Sequence, residues 1–309
     1  MKAKNIKSVL SRKIADFAEH IEDKSVRSLV EQNTIVTGGA IASMLLREDV
    51  NDFDLYFRTR KATLAVARYF VAKFRDNPPP RFKNGKSVEV FVDDTLPDRI
   101  RTIVKSAGVA SENGDEGYKY FEGDMDPGST DAADCVDAAT NVLKDKEQAE
   151  EEKKPKYRPV FLSTNAITLS HQIQLVTRFF GNPDEIHANY DFVHCTNYWT
   201  SWDKNLVLRP EALEALLARE LRYVGSKYPL CSIIRTRKFI KRNWSITAGQ
   251  YLKMAMQLNE LDLKDPSVLE EQLTGVDTAY FQEILAKLKE RDPSRVDTTY
   301  LVELIDRLF

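Results

Sequence analysis

The stretch Thr34-Ile35-Val36-Thr37-Gly38-Gly39-Ala40-Ile41-Ala42-Ser43-Met44-Leu45-Leu46-Arg47-Glu48-Asp49-Val50-Asn51-Asp52-Phe53-Asp54-Leu55-Tyr56-Phe57 decides how the rest of the chain is read. A short apolar run ends in a double glycine, a helical segment follows, and Asp52-Phe53-Asp54 opens a second apolar strand. Two glycines let the main chain approach a ligand closely and adopt dihedrals that other residues avoid. In an extended strand alternate side chains share a face, so Asp52 and Asp54 are expected to point the same way, about 7 Å apart. Two carboxylates so placed suit a hard divalent cation, and Mg²⁺ takes one or two carboxylates together with substrate phosphates. The combination implies nucleotide handling: glycine backbone for phosphates, aspartates for a metal.

The order of these parts resembles the polymerase-beta-like nucleotidyltransferase superfamily. Its pattern is a hydrophobic residue, Gly-Gly or Gly-Ser, a spacer, then Asp-hydrophobic-acid-hydrophobic. Here twelve residues separate Gly38-Gly39 from Asp52-Phe53-Asp54-Leu55, and Thr37 stands where an aliphatic residue is commoner. The resemblance implies Asp52 and Asp54 as ligands of Mg²⁺ or Mn²⁺. It implies Gly38 and Gly39, at the head of a helix, as the amide cradle for the triphosphate of an NTP. Ser43, one turn in, adds a hydroxyl contact or is a small buried helix residue. Many members use a third carboxylate, and its position stays open: Asp191 first, Glu89 in Val88-Glu89-Val90 next, while the strand Gln172-Ile173-Gln174-Leu175 offers only the neutral Gln174. Looser phrases, among them Asn182-Pro183-Asp184-Glu185-Ile186-His187 and Tyr190-Asp191-Phe192-Val193-His194-Cys195, resemble nucleotidyltransferase-like proteins of phages and large DNA viruses.

Composition bounds the rest. With 309 residues, 42% hydrophobic and 30% charged, the chain suits one large or two medium domains. A net charge of −2 excludes a globally basic nucleic-acid binder while permitting a local basic patch. Three cysteines without a CxxC pair point to reduced thiols and a cytoplasmic setting. No apolar run is long enough to span a membrane, and no signal peptide is visible.

Along the chain, residues 4–31 carry Ile6, Leu10, Ile14 and Phe17 at helical intervals and read as one or two amphipathic helices. Strands are expected at 34–37, 53–57 and 87–92, and helices at 39–47 and 61–76. Residues 108–156, rich in Gly, Asp, Glu and Lys, read as an acidic insertion with a loose helix near 131–152. Residues 159–169 and 172–180 read as a two-stranded hairpin, 183–190 as a helix capped by Asn182, and 191–196 as a strand. From Glu211 onward helices are expected at 211–224, 230–242, 246–259, 266–273, 277–290 and 297–308, punctuated by prolines.

Arg235, Arg237, Lys238, Lys241 and Arg242, beside Phe239 and Trp244, form the candidate phosphate-backbone contact; a solvated charged helix face is the equal alternative. His171, His187, His194 and Cys195 lack the paired spacing of a zinc site and read as separate strand and helix residues. No Gly-Lys-Ser/Thr follows the double glycine, so a Walker-type ATPase is excluded.

The expectation is an α+β chain. A nucleotidyltransferase-like domain with a small mixed β-sheet occupies 1–206, and an all-helical domain 207–309. The reaction implied is metal-dependent transfer of a nucleoside monophosphate from an NTP such as ATP to a hydroxyl, foremost an RNA 3′ end. RNA and NTP would be its partners, in a host cytoplasm if the source is viral. The competing expectation is a catalytically degenerate binding or structural protein of a phage or virus, with a counter-defence role.

Overall fold

A computed structural model describes residues 1–77, 88–106, 155–163 and 165–265, together with 268, 269 and 272. The expected insertion at 108–156, but for its last two residues, lies outside them, as do the helices expected at 277–290 and 297–308 and most of 266–273. The chain divides into two compact units, residues 1–108 with 155–225 and residues 109–154 with 226–309. The architecture is α+β, built on a mixed sheet.

Helix α1 (Ala3–Glu19) buries Ile6, Leu10, Ile14 and Phe17, the apolar stripe that its sequence repeats every three or four residues. Helix α2 (Lys24–Asn33) starts where the Asp23 carboxylate accepts from the Ser25 and Val26 amides. It runs straight into β1 (Thr34–Thr37), buried along its whole length. After the double glycine come α3 (Gly39–Leu46), β2 (Phe53–Phe57) and α4 (Arg60–Asp76). The Phe70 ring of α4 stacks on Phe17 of α1 at 5.9 Å. Strands β3 (Val88–Asp93) and β4 (Arg101–Ser106) form a separate antiparallel pair.

The main sheet is completed by β5 (Pro159–Leu162), β6 (Ala166–Leu169), β7 (Ile173–Phe180), β8 (Tyr198–Thr200) and β9 (Leu206–Val207), in the order β5-β6-β7-β2-β1-β8-β9. All its pairings are antiparallel except β2 with β7, which is parallel. Helix α5 (Pro183–His187) and α6 (Pro210–Ala218) flank β8 and β9 in sequence. In the second unit α7 (Pro229–Lys241) and α8 (Ala248–Leu258) are described. Among the described residues no helix is long and apolar enough to cross a membrane.

Two local expectations are corrected. Residues 159–169 are two strands rather than one. Ser163 makes the turn: its amide donates to the Ala166 carbonyl at 2.9 Å, and its hydroxyl accepts from the Ala166 amide at 3.1 Å. Residues 191–196 are no strand but hold a 3-10 turn at Val193–Cys195. There the Thr196 hydroxyl and amide both donate to the Val193 carbonyl. The helix expected at 183–190 closes at His187.

Candidate functional site

The glycine turn and the aspartates meet in the middle of the sheet. Thr37 is the antiparallel partner of Asp54, and Gln174 is its parallel partner on the other side. Gly38 turns the chain out of β1 with φ 83° and ψ −145°. A β-carbon on Gly38 would lie 3.2 Å from Asp54 Oδ2 and 3.6 Å from the Tyr190 hydroxyl. Only a residue without a side chain fits beside that carboxylate in that backbone conformation. The Gly38 amide donates to the Cys195 carbonyl at 3.1 Å, so amide donors for an anion begin at Gly39, in the first turn of α3. Asp52 directly precedes β2 and is half-buried, as is Asp54.

Thr37, where the sequence pattern favours an aliphatic residue, is the hub of the turn. Its hydroxyl lies 2.9 Å from the Asn197 carbonyl, 3.1 Å from the Cys195 carbonyl and 2.8 Å from His187 Nε2. His187 is packed between the Tyr190 and Tyr198 rings, at 5.0 and 5.7 Å, and burial pushes its pKa down to about 4. Burial, with Tyr56 and the Asp54 charge nearby, pushes the Tyr190 phenol well above its ordinary range; its hydroxyl hydrogen-bonds with Tyr56 and Thr37. Sequence reasoning missed these three residues. The one trace of them was the threonine in an aliphatic position.

The other expected residues are dispersed. Glu89 lies on β3, opposite Lys105 in the separate two-stranded sheet. Asp191 is buried, and its carboxylate acts on His194, whose pKa burial nonetheless pushes down to about 4. Ser43 is half-buried in α3, where its carbonyl accepts the Glu48 amide at 2.9 Å. Arg235, Arg237, Lys238 and Lys241 ride on α7 with Arg242 at its C-cap, and Phe239 meets Trp244 edge-on at 5.6 Å. Lys238 and Lys241 occupy the last turn, where positive charge complements the helix dipole. Among the described residues no three His, Cys, Asp or Glu side chains gather in a metal-holding group. The space beside Asp54 Oδ2 that a β-carbon would fill nevertheless fits a cation held by two carboxylates and completed by phosphate and water.

The profile of the Gabija anti-defense 2 family protein (Gad2) matches residues 8–113 and 120–219, two thirds of the sequence. The chain belongs to the Gabija anti-defense 2 family. The family's segments contain the glycine turn, both aspartates, His187 and Tyr190, and they end before the basic helix α7. Among solved structures, the Thermotoga maritima CCA-adding enzyme complexed with tRNA aligns at 12% identity with a TM-score of 0.39, over 89% of this chain and 54% of that one. The chain thus spans about half the length of that enzyme. Among curated proteins no sequence matches it.

Proposed function

We propose that this member of the Gabija anti-defense 2 family is a divalent-metal-dependent nucleotidyltransferase. It moves a nucleoside monophosphate from an NTP to a hydroxyl, foremost an RNA 3′ end, and this chemistry serves the anti-defence role in the family's name. One observation carries the reading: a side-chain-free turn at Gly38 abuts the Asp54 carboxylate at the head of helix α3.

In this reading Gly39 and the first-turn amides of α3 bind the triphosphate. Asp52 and Asp54 hold Mg²⁺ or Mn²⁺, which when bound supplies charge neutralisation at the phosphates. The acceptor oxygen bonds to the α-phosphorus as the bond to the pyrophosphate oxygen breaks, and the hydroxyl proton passes to the Asp54 carboxylate. Gln174 keeps the strand position facing Asp54 neutral, so the two aspartates carry the negative charge alone. The basic residues Arg235, Arg237, Lys238, Lys241 and Arg242 would hold the acceptor's phosphate backbone.

A second reading is favoured by a separate observation. The Tyr190 hydroxyl stands 3.6 Å from the Gly38 β-position and bonds within the protein, and the Gly38 amide is committed to Cys195. A turn closed in this way suits a binding protein that keeps the frame without the chemistry.

Incubation with each labelled NTP, Mg²⁺ or Mn²⁺ and mixed cellular RNA and protein separates the two. Label transferred by the native chain, and reduced at least about a hundredfold by Asp54→Asn with thermal stability nearly unchanged, is the expected result. Transfer that survives in Asp54→Asn removes the proposed metal site. No transfer and no nucleotide-dependent thermal shift leaves the binding protein.

A further inference from the structure

Behind Thr37, on the far side of the His187 ring, lies a cavity of about 280 Å³ that the nucleotidyl-transfer reading does not use. Its wall includes His187 and Asp184 of α5, Val193, Arg209, Glu211 and Val224, all within the first unit. His187 is 6% exposed, and its Nδ1 is buried without a hydrogen-bond partner among the described residues.

The chemistry of that nitrogen follows from its neighbours. The Thr37 hydroxyl has one hydrogen, and two carbonyls that can only accept, of Cys195 and Asn197, lie within reach of it. Nε2 of His187 therefore carries its own hydrogen and donates it to Thr37 Oγ1. The ring is neutral near pH 7, since burial depresses its pKa. Nδ1 is then a bare lone pair. The donors around it are engaged: the Arg209 guanidinium with the Asp184 carboxylate, the Arg209 amide with Asn197 Oδ1, and the Thr196 hydroxyl with the Val193 carbonyl. A buried acceptor left unpaired costs about 1–3 kcal/mol, which a donor arriving in the cavity would recover.

We infer that this cavity is a ligand site that takes an uncharged or cationic small molecule bearing O–H or N–H donors, of pentose or nucleobase size, with His187 Nδ1 as its acceptor. The charges agree: Asp184 and Glu211 outnumber Arg209, so the wall disfavours phosphate and carboxylate ligands. The volume sits near the lower edge of small-molecule pockets, which fits a single sugar or base ring. The Val193 and Val224 side chains supply apolar surface for the ring. Val224, 53% exposed, stands at the lip.

The test is a titration of ¹⁵N-histidine-labelled protein with D-ribose, cytosine, adenosine and inorganic phosphate, reading the His187 Nδ1 resonance. The expected result is a saturable shift with at least one of the first three. A response to ribose or to cytosine tells the sugar edge from the base edge. Phosphate should give none, and Val224→Trp should weaken the response at least tenfold while the His194 resonances stay in place. Val193→Phe narrows the cavity from another wall and serves if Val224→Trp does not fold. Silence toward ribose, cytosine and adenosine, an equal response to phosphate, or a response undiminished in the folded cavity-filling variant would each overturn the assignment. None of these readouts depends on nucleotidyl transfer.

Discussion

Gly38 holds a backbone conformation that a β-carbon penalises twice, once through its positive φ and once through the 3.2 Å approach to Asp54 Oδ2. Strain of this type costs roughly 1–3 kcal/mol. Gly38→Ala is therefore expected to lower unfolding stability by that amount in urea titrations and to depress nucleotidyl transfer as well. A variant as stable as the parent would show that the turn relaxes. Thr37 makes the complementary case. Thr37→Val keeps the volume and removes the hydroxyl, leaving the Asn197 and Cys195 carbonyls and His187 Nε2 short of a partner. A loss of about 1–3 kcal/mol is expected, with Thr37→Ser recovering most of it.

At the scale of elements, helix α5 is set by a capping box in which Asn182 Oδ1 accepts from the Asp184 and Glu185 amides and Glu185 accepts from the Asn182 amide at 2.7 Å. Asn182→Ala should cost about 1 kcal/mol in chemical denaturation. It should also loosen His187 at the helix's other end, visible as faster exchange of nearby amides. This helix start was legible because the box is local, four residues long and opened by a proline. The amphipathic α1 and α4 were legible for a similar reason, since Ile6, Leu10, Ile14 and Phe17 repeat at the helical period whatever lies around them. The division at Ser163 was not, because a serine turn inside an apolar run carries none of the usual glycine or proline signal. Residues 191–196 alternate apolar and polar side chains and so imitate a strand. What draws them out of the sheet is distant: the Cys195 carbonyl is taken by Gly38 and Thr37, more than 150 residues earlier. The same distance hid the site's second half. The double glycine and the Asp pair announce themselves within one short stretch, whereas Tyr190 and His187 belong to the site only through a fold that joins α5 to β1.

Across the whole first unit, acid sensitivity should be set largely by two histidines. His187 and His194, ordinarily near 6.5, are both pushed by burial down to about 4. Between those values the unfolded chain binds protons that the folded chain refuses, so stability rises with pH in that window. It is complete above about pH 6.5 and falls as pH drops toward 4, by up to about 3 kcal/mol for each ring. Urea midpoints taken at pH 7, 6, 5 and 4.5 should decline steadily. A flat profile would mean that the two rings are not buried neutral.

The parallel pairing of β2 with β7 also has a consequence in time. Asp54 and Gln174 are 120 residues apart in the sequence, and a parallel pair cannot be closed by a tight hairpin. At ribosomal rates of about 5–20 residues per second, roughly 6–24 s pass between the synthesis of one partner and the other. Throughout that interval the apolar strand Phe53–Phe57 has one edge waiting for a neighbour, the condition under which nascent chains seek wrong partners. The two aspartates are thus among the first residues made and the last to be given a neighbourhood, and a chain interrupted before residue 173 carries both of them with no site to serve.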